Sequence, residues 1–494
     1  MNNNDNYAII DLGSNSFHMM IVQVIAGSVQ VIGRVKRKVR LASGLDKDNV
    51  LSEEAMQRGW ECLNLFAERL QDIPSKNLRI AGTATLRLAK NVDKFIVKAE
   101  HILGNKINII SGLEEANTIY QGVAYTSSSK VRRLVVDIGG ASTELVAGEA
   151  SDPKISNSLN VGCVTYLENY FPDGQLSESN FMNAIAAAEL EIAKVRDLYK
   201  DFDWQEEVGA SGTVQAIQEI LMHQGYDEVI NLPRLISIMQ QAITYGSIDR
   251  LNIPGLAQER KLVFPSGVAI LTAIFRQLNL TGMTLAGGAL REGLLYSMLP
   301  ELTEQNVRER TLMSVMTRYH VDVDHANRVA ELCSNIARQV DEEWNLEQFE
   351  AVGILRSAAM VHEVGLQVAY KDQQLHASYI LTNTNLPGFT SAQKKLLVAL
   401  VGSHKDHIDQ VELSKQSSTS VLLACRLVRI LRLAVILSMR RADEALPEVT
   451  VEVSAEALSL TLPKGWTEEN PLTQAELSQE SELQAEHGWL LEVK

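Results

Sequence analysis

Cysteine is scarce: Cys62, Cys163, Cys333 and Cys425 are the only four in 494 residues, and no two form a CxxC pair. That spacing argues against a disulfide framework or a thiolate zinc site, and fits buried free thiols in a reducing compartment. Basic charge is also in deficit, with 46 Lys and Arg against 61 Asp and Glu and a net charge of −15. A nucleic-acid backbone or an anionic membrane surface is therefore a poor bulk partner. No apolar run reaches the roughly 20 residues that span a bilayer. The opening Met1 to Asn6 has neither the positive nor the apolar region of a signal peptide, so a soluble cytoplasmic protein is expected.

What is present is ordinary globular composition, 46% hydrophobic and 22% charged, in a chain long enough for about three domains. A β-rich run, Tyr7 to Asp11, leads into the polar turn Leu12-Gly13-Ser14-Asn15-Ser16 and two further strands, Phe17–Ile25 and Val29–Val39. The pattern returns 126 positions later, where Leu134 to Asp137 precedes Ile138-Gly139-Gly140-Ala141-Ser142 and strands at Thr143–Ala147 and Ile155–Val161. A duplicated α/β domain is the simplest reading, each half opening with a strand–turn–strand meander. Ser52–Leu70 and Met182–Leu198 have helical periodicity, with Met56, Trp60, Leu63 and Phe66 on the apolar face of the first. Beyond about Leu302 long helical patterns run from Val307 to Ser438, and a tail alternates as Val449–Val453, Leu458–Leu462 and Trp489–Val493. The expected organisation is four segments, 1–122, 123–302, 303–444 and 445–494.

A strand that ends in Asp and passes into glycine and small polar residues sets a carboxylate beside exposed N–H groups. The amides can cradle a phosphate while the acid holds its magnesium ion. Two such turns, one per half, make Asp11 and Asp137 a candidate pair. Gly-rich turns at 208–213 and 285–293 precede helical patterns and can offer helix N-termini to an anion. In Ser111-Gly-Leu-Glu114-Glu115, Ser111 and Glu114 have capping-box spacing, which leaves Glu115 as the acid–base candidate. Arg34, Lys36, Lys38 and Arg40 share one face of a strand, a positive stripe in an acidic chain.

Jointly, DLGSNSFHM (11–19), RKVRLASGL (37–45), TATLR (83–87), SGLEEA (111–116), YQGVA (120–124), DIGGASTELV (137–146), GASGT (209–213) and LAGGALREG (285–293) resemble the exopolyphosphatase/guanosine pentaphosphate phosphohydrolase family of the actin-like ATPase superfamily. Stretches 210–225 and 259–271 are more similar to its guanosine pentaphosphate branch. The resemblance implies two actin-like domains, a helical HD-like domain and a small α+β tail. It implies magnesium-dependent removal of the terminal 5′-phosphate of guanosine 5′-triphosphate 3′-diphosphate, by a homodimer. By position, Glu115 is similar to the family's general base, and Asp137 and Asp11 to its metal-holding acids. Gly13, Ser14, Asn15, Gly139, Gly140, Ala141 and Ser142 match phosphate-loop positions. Arg87 and Arg260 stand where phosphate-contacting arginines are expected, and His18 where some relatives carry an arginine.

In the helical segment, His325, His362-Glu363 and His376 resemble the metal-dependent phosphohydrolase pattern, with Glu in place of Asp and no later Asp to complete it. An incomplete ligand set predicts weak metal affinity and a scaffold role. His404 and His407 flank a polar turn and are expected at the surface. Three rivals remain: an exopolyphosphatase consuming polyphosphate ends, an actin-like-fold kinase, which would form ADP only with an acceptor, and a nucleotide sensor without chemistry.

Overall fold

The computed structural model describes residues 6–303, 306–346, 350–416 and 418–494. Residues 1–5, on which most of the expectation about a signal peptide falls, and residues 304–305, next to an expected boundary, lie outside that set. The chain forms two compact units, Met1–Val307 and Arg308–Lys494.

The first unit contains two five-stranded sheets of identical topology. One comprises β1 (Asn6–Leu12), β2 (Ser16–Ile25), β3 (Ser28–Lys38), β4 (Leu78–Gly82) and β5 (Asn108–Ile109), in the order 3-2-1-4-5. The other comprises β6 (Arg132–Ile138), β7 (Thr143–Glu149), β8 (Asp152–Leu159), β9 (Glu206–Gly209) and β10 (Met283–Leu285), in the order 8-7-6-9-10. In each, the first three strands form an antiparallel meander and the last two add in parallel. The duplication extends to a register irregularity, between Ile21 and Val22 in one sheet and between Ala147 and Gly148 in the other, again 126 residues apart. β5 has only two residues, Asn108 and Ile109, which pair with Ala81 and Gly82 of β4.

Helices cover the sheets by burying the predicted stripes. Ser52 caps the helix Glu53–Leu70 by accepting from the Ala55 N–H, and Met56, Trp60, Leu63 and Phe66 all enter the core of the first sheet. The helix Phe264–Leu278 is buried almost all round in the core of the second sheet, its apolar residues facing every side and its Ser266 and Thr272 hydroxyls donating to backbone carbonyls.

The second unit, which takes all of the helix Val307–Arg318 but its first residue, is helical through Val421–Leu437. The alternating tail forms three strands, β11 (Thr450–Ser454) and β12 (Ala457–Thr461) as an antiparallel hairpin and β13 (Leu490–Val493) parallel to β12. Val451, Leu458, Leu460 and Leu491 share one core with the helices. His404 corrects the sequence reading: it is buried, because the turn after the helix Ser391–Gly402 folds its ring back onto that helix, while His407 is exposed. Among the described residues no helix is long and apolar enough to cross a membrane.

Candidate active site

The two hairpin turns that open the sheets meet. In each, a glycine follows the strand end where the chain doubles back: a Cβ on Gly13 would lie 2.9 Å from the Ser16 carbonyl oxygen, and one on Gly139 3.0 Å from that of Ser142. Between them the approach is equally tight, since a Cβ on Gly140 would stand 3.0 Å from Ser14 Cβ and 3.3 Å from the Asn15 nitrogen. Both turns line one cleft of about 420 Å³, together with Asp11, Glu115, Asp137, Glu144, Arg260 and Arg291.

Strand register decides what stands beside each aspartate. Asp11 faces His18 across β1 and β2, and Asp137 faces Glu144 across β6 and β7. Burial raises Asp11 to about 6, with Arg291 pulling the other way, and raises Asp137 to about 7, with Asp11 adding to the effect. Burial also holds Glu144 well above the ordinary carboxylate range, reinforced by Glu115 and Asp137. The Ser158 hydroxyl donates to Glu144 Oε1 at 2.8 Å.

Glu115 reaches the same cleft from the first turn of the helix Gly112–Ala124. The Ser111 hydroxyl caps that helix by accepting from the Glu114 N–H (3.1 Å), and Glu114 stays exposed while Glu115 is buried. Arg87 fixes the carboxylate: its Nη1 donates to Glu115 Oε2 at 3.0 Å and to the Ile110 carbonyl at 2.8 Å. Burial nevertheless lifts Glu115 to about 7, because desolvation outweighs the arginine and Asp11 and Asp137 repel a further negative charge.

Cations line the same cleft. Arg34 and Lys36 of the predicted stripe line the cleft, whereas the Lys38 ammonium donates to the Glu259 carbonyl, next to Arg260. The Arg260 guanidinium lies against the start of the helix Gly212–His223, so closely that a Cβ on Gly212 would fall 1.9 Å from its Nη2. Arg291 Nη1 donates to His18 Nδ1 at 2.8 Å. Burial, followed by Arg291, Lys36 and Arg260, pushes His18 down to about 3, so the ring is neutral and accepts. Lys36 falls to about 8 through burial and repulsion from Arg260 and Arg291. Arginines packed closely enough to lower the Lys36 ammonium make a site complementary to a polyanion.

The residues also fit a divalent cation. Asp11 Oδ1 is buried without a hydrogen-bond partner in the cleft that Asp137 also lines, and hard carboxylate oxygens of this kind suit a divalent cation.

Of the residues singled out in the sequence, Asp11, Gly13, Ser14, Asn15, Glu115, Asp137, Gly139, Gly140, Ser142 and Arg260 line the cleft. Ala141 does not: it is packed against Gly162, whose Cβ would overlap the Ala141 Cα at 2.3 Å. Arg87 stands behind Glu115. Glu144 and Arg291 were missed as site residues. The repeat held a signal for the first, since Glu144 is the counterpart of His18 at the same offset of 126. For Arg291 the signal was its place in the Gly-rich stretch LAGGALREG (285–293), at the start of a helix.

Residues 20–302 match the Ppx/GppA phosphatase family, and residues 307–481 match domain III of the Ppx/GppA phosphatases. A guanosine-5′-triphosphate,3′-diphosphate pyrophosphatase of Pseudoalteromonas translucida is 53% identical over 487 residues, covering 99% of this chain and 98% of that one. A protein of the same name in Aeromonas hydrophila is 52% identical, covering 99% of both chains. Among solved structures, an exopolyphosphatase from Cytophaga hutchinsonii superimposes with a TM-score of 0.55 at 21% identity, over 60% of this chain and 98% of its own. The Ppx/GppA family member of Aquifex aeolicus gives 0.51 at 21% identity over 60% and 98%. The actin-like fold is thereby shared, and the chain belongs to the Ppx/GppA phosphatase family.

Proposed function

We propose that the chain hydrolyses the terminal 5′-phosphate of guanosine 5′-triphosphate 3′-diphosphate, yielding guanosine tetraphosphate and phosphate. Similarity at 52–53% identity along the whole chain to proteins named for that substrate supports the choice. The observation that carries the chemistry is the convergence of Asp11, Asp137 and Glu115 with Lys36, Arg260 and Arg291 in one cleft.

Backbone N–H groups of the two turns and the Ser14 and Ser142 hydroxyls hold the terminal phosphoryl group between the sheets. Asp11 and Asp137 would hold a divalent cation, proposed as Mg²⁺, which neutralises charge on the phosphoryl oxygens. Arg87 engages Glu115 Oε2, leaving Oε1 to take a proton from water placed in line with the breaking bond. The water oxygen bonds to phosphorus, the bridging P–O bond breaks, and the displaced oxygen carries its electron pair away on the guanosine product. Such a reaction passes through a loose transition state, so charge neutralisation and positioning carry most of the rate. Arg260 and Lys36 lie where the rest of a long anion can run.

Phosphate release from guanosine pentaphosphate and from long polyphosphate, measured side by side with magnesium, tests the assignment. Preference for the nucleotide is expected, and a large preference for the polymer would overturn it. Glu115→Gln should lower turnover about 10²- to 10⁴-fold while nucleotide binding persists. Near-normal turnover would reject the base.

A further inference from the structure

The helical unit carries a second group of convergent acceptors that the phosphatase chemistry does not use. His325 sits in the first turn of the helix Val323–Trp344, its N–H capped by Asp322 at 3.0 Å. His362 directly follows the helix Ala351–Val361, with Glu363 beside it, and His404 follows the helix Ser391–Gly402 by two residues. Ligand atoms of His325, His362 and Glu363 all lie within 4.8 Å of one another. The ring centroids are 5.7 Å apart for His325 and His362, and 5.2 Å for His362 and His404.

Two of these histidines are held in the same way. His362 Nδ1 donates to the Ala359 carbonyl at 2.7 Å, and His404 Nδ1 to the Val401 carbonyl at 2.6 Å, each three residues back in its own helix. The carbonyl fixes the proton on Nδ1 and leaves Nε2 as a bare lone pair. His404 Nε2 is buried with no hydrogen-bond partner, as is His325 Nδ1. Burial keeps the rings neutral: His404 is pushed down to about 3, His325 to about 4, and His362 is lowered too. Lone pairs buried without donors cost stability unless something electron-deficient meets them.

The surroundings favour a cation over a further hydrogen-bond donor. Both His362 and His404 lie at helix C-termini, where the backbone dipole attracts positive charge. With Glu363 they line a cavity of about 620 Å³. Of the cations nearby, Arg432 is paired with Glu480 at 2.7 Å, and Lys405 donates to the Tyr370 hydroxyl at 3.1 Å. Arg441 pairs with Glu363 Oε1 and with Asp322 at 3.3 Å, which orients the carboxylate and leaves Oε2 for a ligand. His376, on the helix Gln373–Asn383, is no part of the group. The fourth donor that the sequence failed to supply as an acid is an imidazole, His404.

We propose that His325, His362, Glu363 and His404 form a buried site for one divalent transition-metal ion of the zinc type. Three imidazoles and one carboxylate suit Zn²⁺ or Co²⁺ and not magnesium, which prefers oxygen and keeps its waters. Ligand atoms about 2.1 Å from such an ion stand roughly 3.4 Å apart, so binding draws the four side chains inward.

Co²⁺, with its visible tetrahedral bands, is the probe. Full-length protein is stripped with chelator, loaded with Co²⁺ in excess Mg²⁺, desalted, and assayed for bound metal and for absorbance. One Co²⁺ per chain with tetrahedral bands is expected, unchanged in Asp137→Asn. His362→Gln and His404→Gln should bind at least about 10- to 100-fold more weakly, a loss seen even for outer partners of metal ligands. Their far-UV circular dichroism should stay unaltered. If either variant fails to fold, His325→Gln replaces it, with the Co²⁺-induced rise in melting temperature as readout: present in wild type, absent in the variant. No retained Co²⁺ in wild type, retention in the histidine variants, or loss in Asp137→Asn would each overturn the proposal.

Discussion

Asp137 and Glu144 stand directly opposite each other across β6 and β7, as Asp11 and His18 do across β1 and β2. The two halves thus share a frame and differ in charge: one presents two acids, the other an acid and a neutral imidazole tied to Arg291. The acid-rich side faces Glu115, whose charge, with burial, favours the protonated form of Glu144. Glu144→Gln therefore exchanges one neutral group for another, and the amide oxygen can still accept from Ser158. The acid limb of the kcat/KM profile should stay in place, and a limb displaced to lower pH would show that Glu144 is ionised in the native cleft.

Glu115 must be ionised to accept a proton, and in the metal-free cleft its value of about 7 sets the acid limb near neutrality. A bound cation favours the charged form, so raising the metal concentration should lower the apparent value. Arg87→Ala takes away the opposing guanidinium and should shift the limb upward, with Arg87→Lys restoring part of the shift. A fall in rate at every pH without displacement of the limb would show that Arg87 acts only on structure.

The acids that make the cleft reactive destabilise it. Asp137 is raised from 3.8 to about 7 in the folded protein, so between those values the native state keeps a proton that the unfolded chain releases. Without metal, stability is lost as pH rises through that window. Asp137→Asn never pays this cost, and in chelator its melting temperature should exceed that of wild type above about pH 7, the gap closing towards pH 4. Added magnesium should stabilise wild type more than the variant.

The helix carrying Glu115 crosses the helix Leu290–Tyr296 at nearly backbone contact. A Cβ on Gly122 would lie 2.0 Å from the Ala289 carbonyl oxygen, and one on Gly293 1.9 Å from that of Thr118. Both neighbours are backbone and cannot rotate away. Gly122→Ala or Gly293→Ala should each cost about 1–3 kcal/mol by overpacking, measured by denaturant unfolding. Turnover should fall as well, because Glu115 and Arg291 ride on the two helices being forced apart.

The sequence alone determined the duplicated strand–turn–strand frame, the buried stripe of the helix Glu53–Leu70 and the acid-tipped turns. These follow from local rules: side-chain alternation, helical periodicity, and glycine where a chain folds back on itself. Glu115 was also legible, because Ser111 fixes the start of its helix three residues before Glu114. Tertiary structure alone decided which charges face one another. Strand pairing set Glu144 against Asp137, a helix start delivered Arg291 to His18, and a folded-back turn buried His404 beside His362. Burial and the pKa shifts that come with it depend on neighbours remote in the chain, and no window of adjacent residues encodes them.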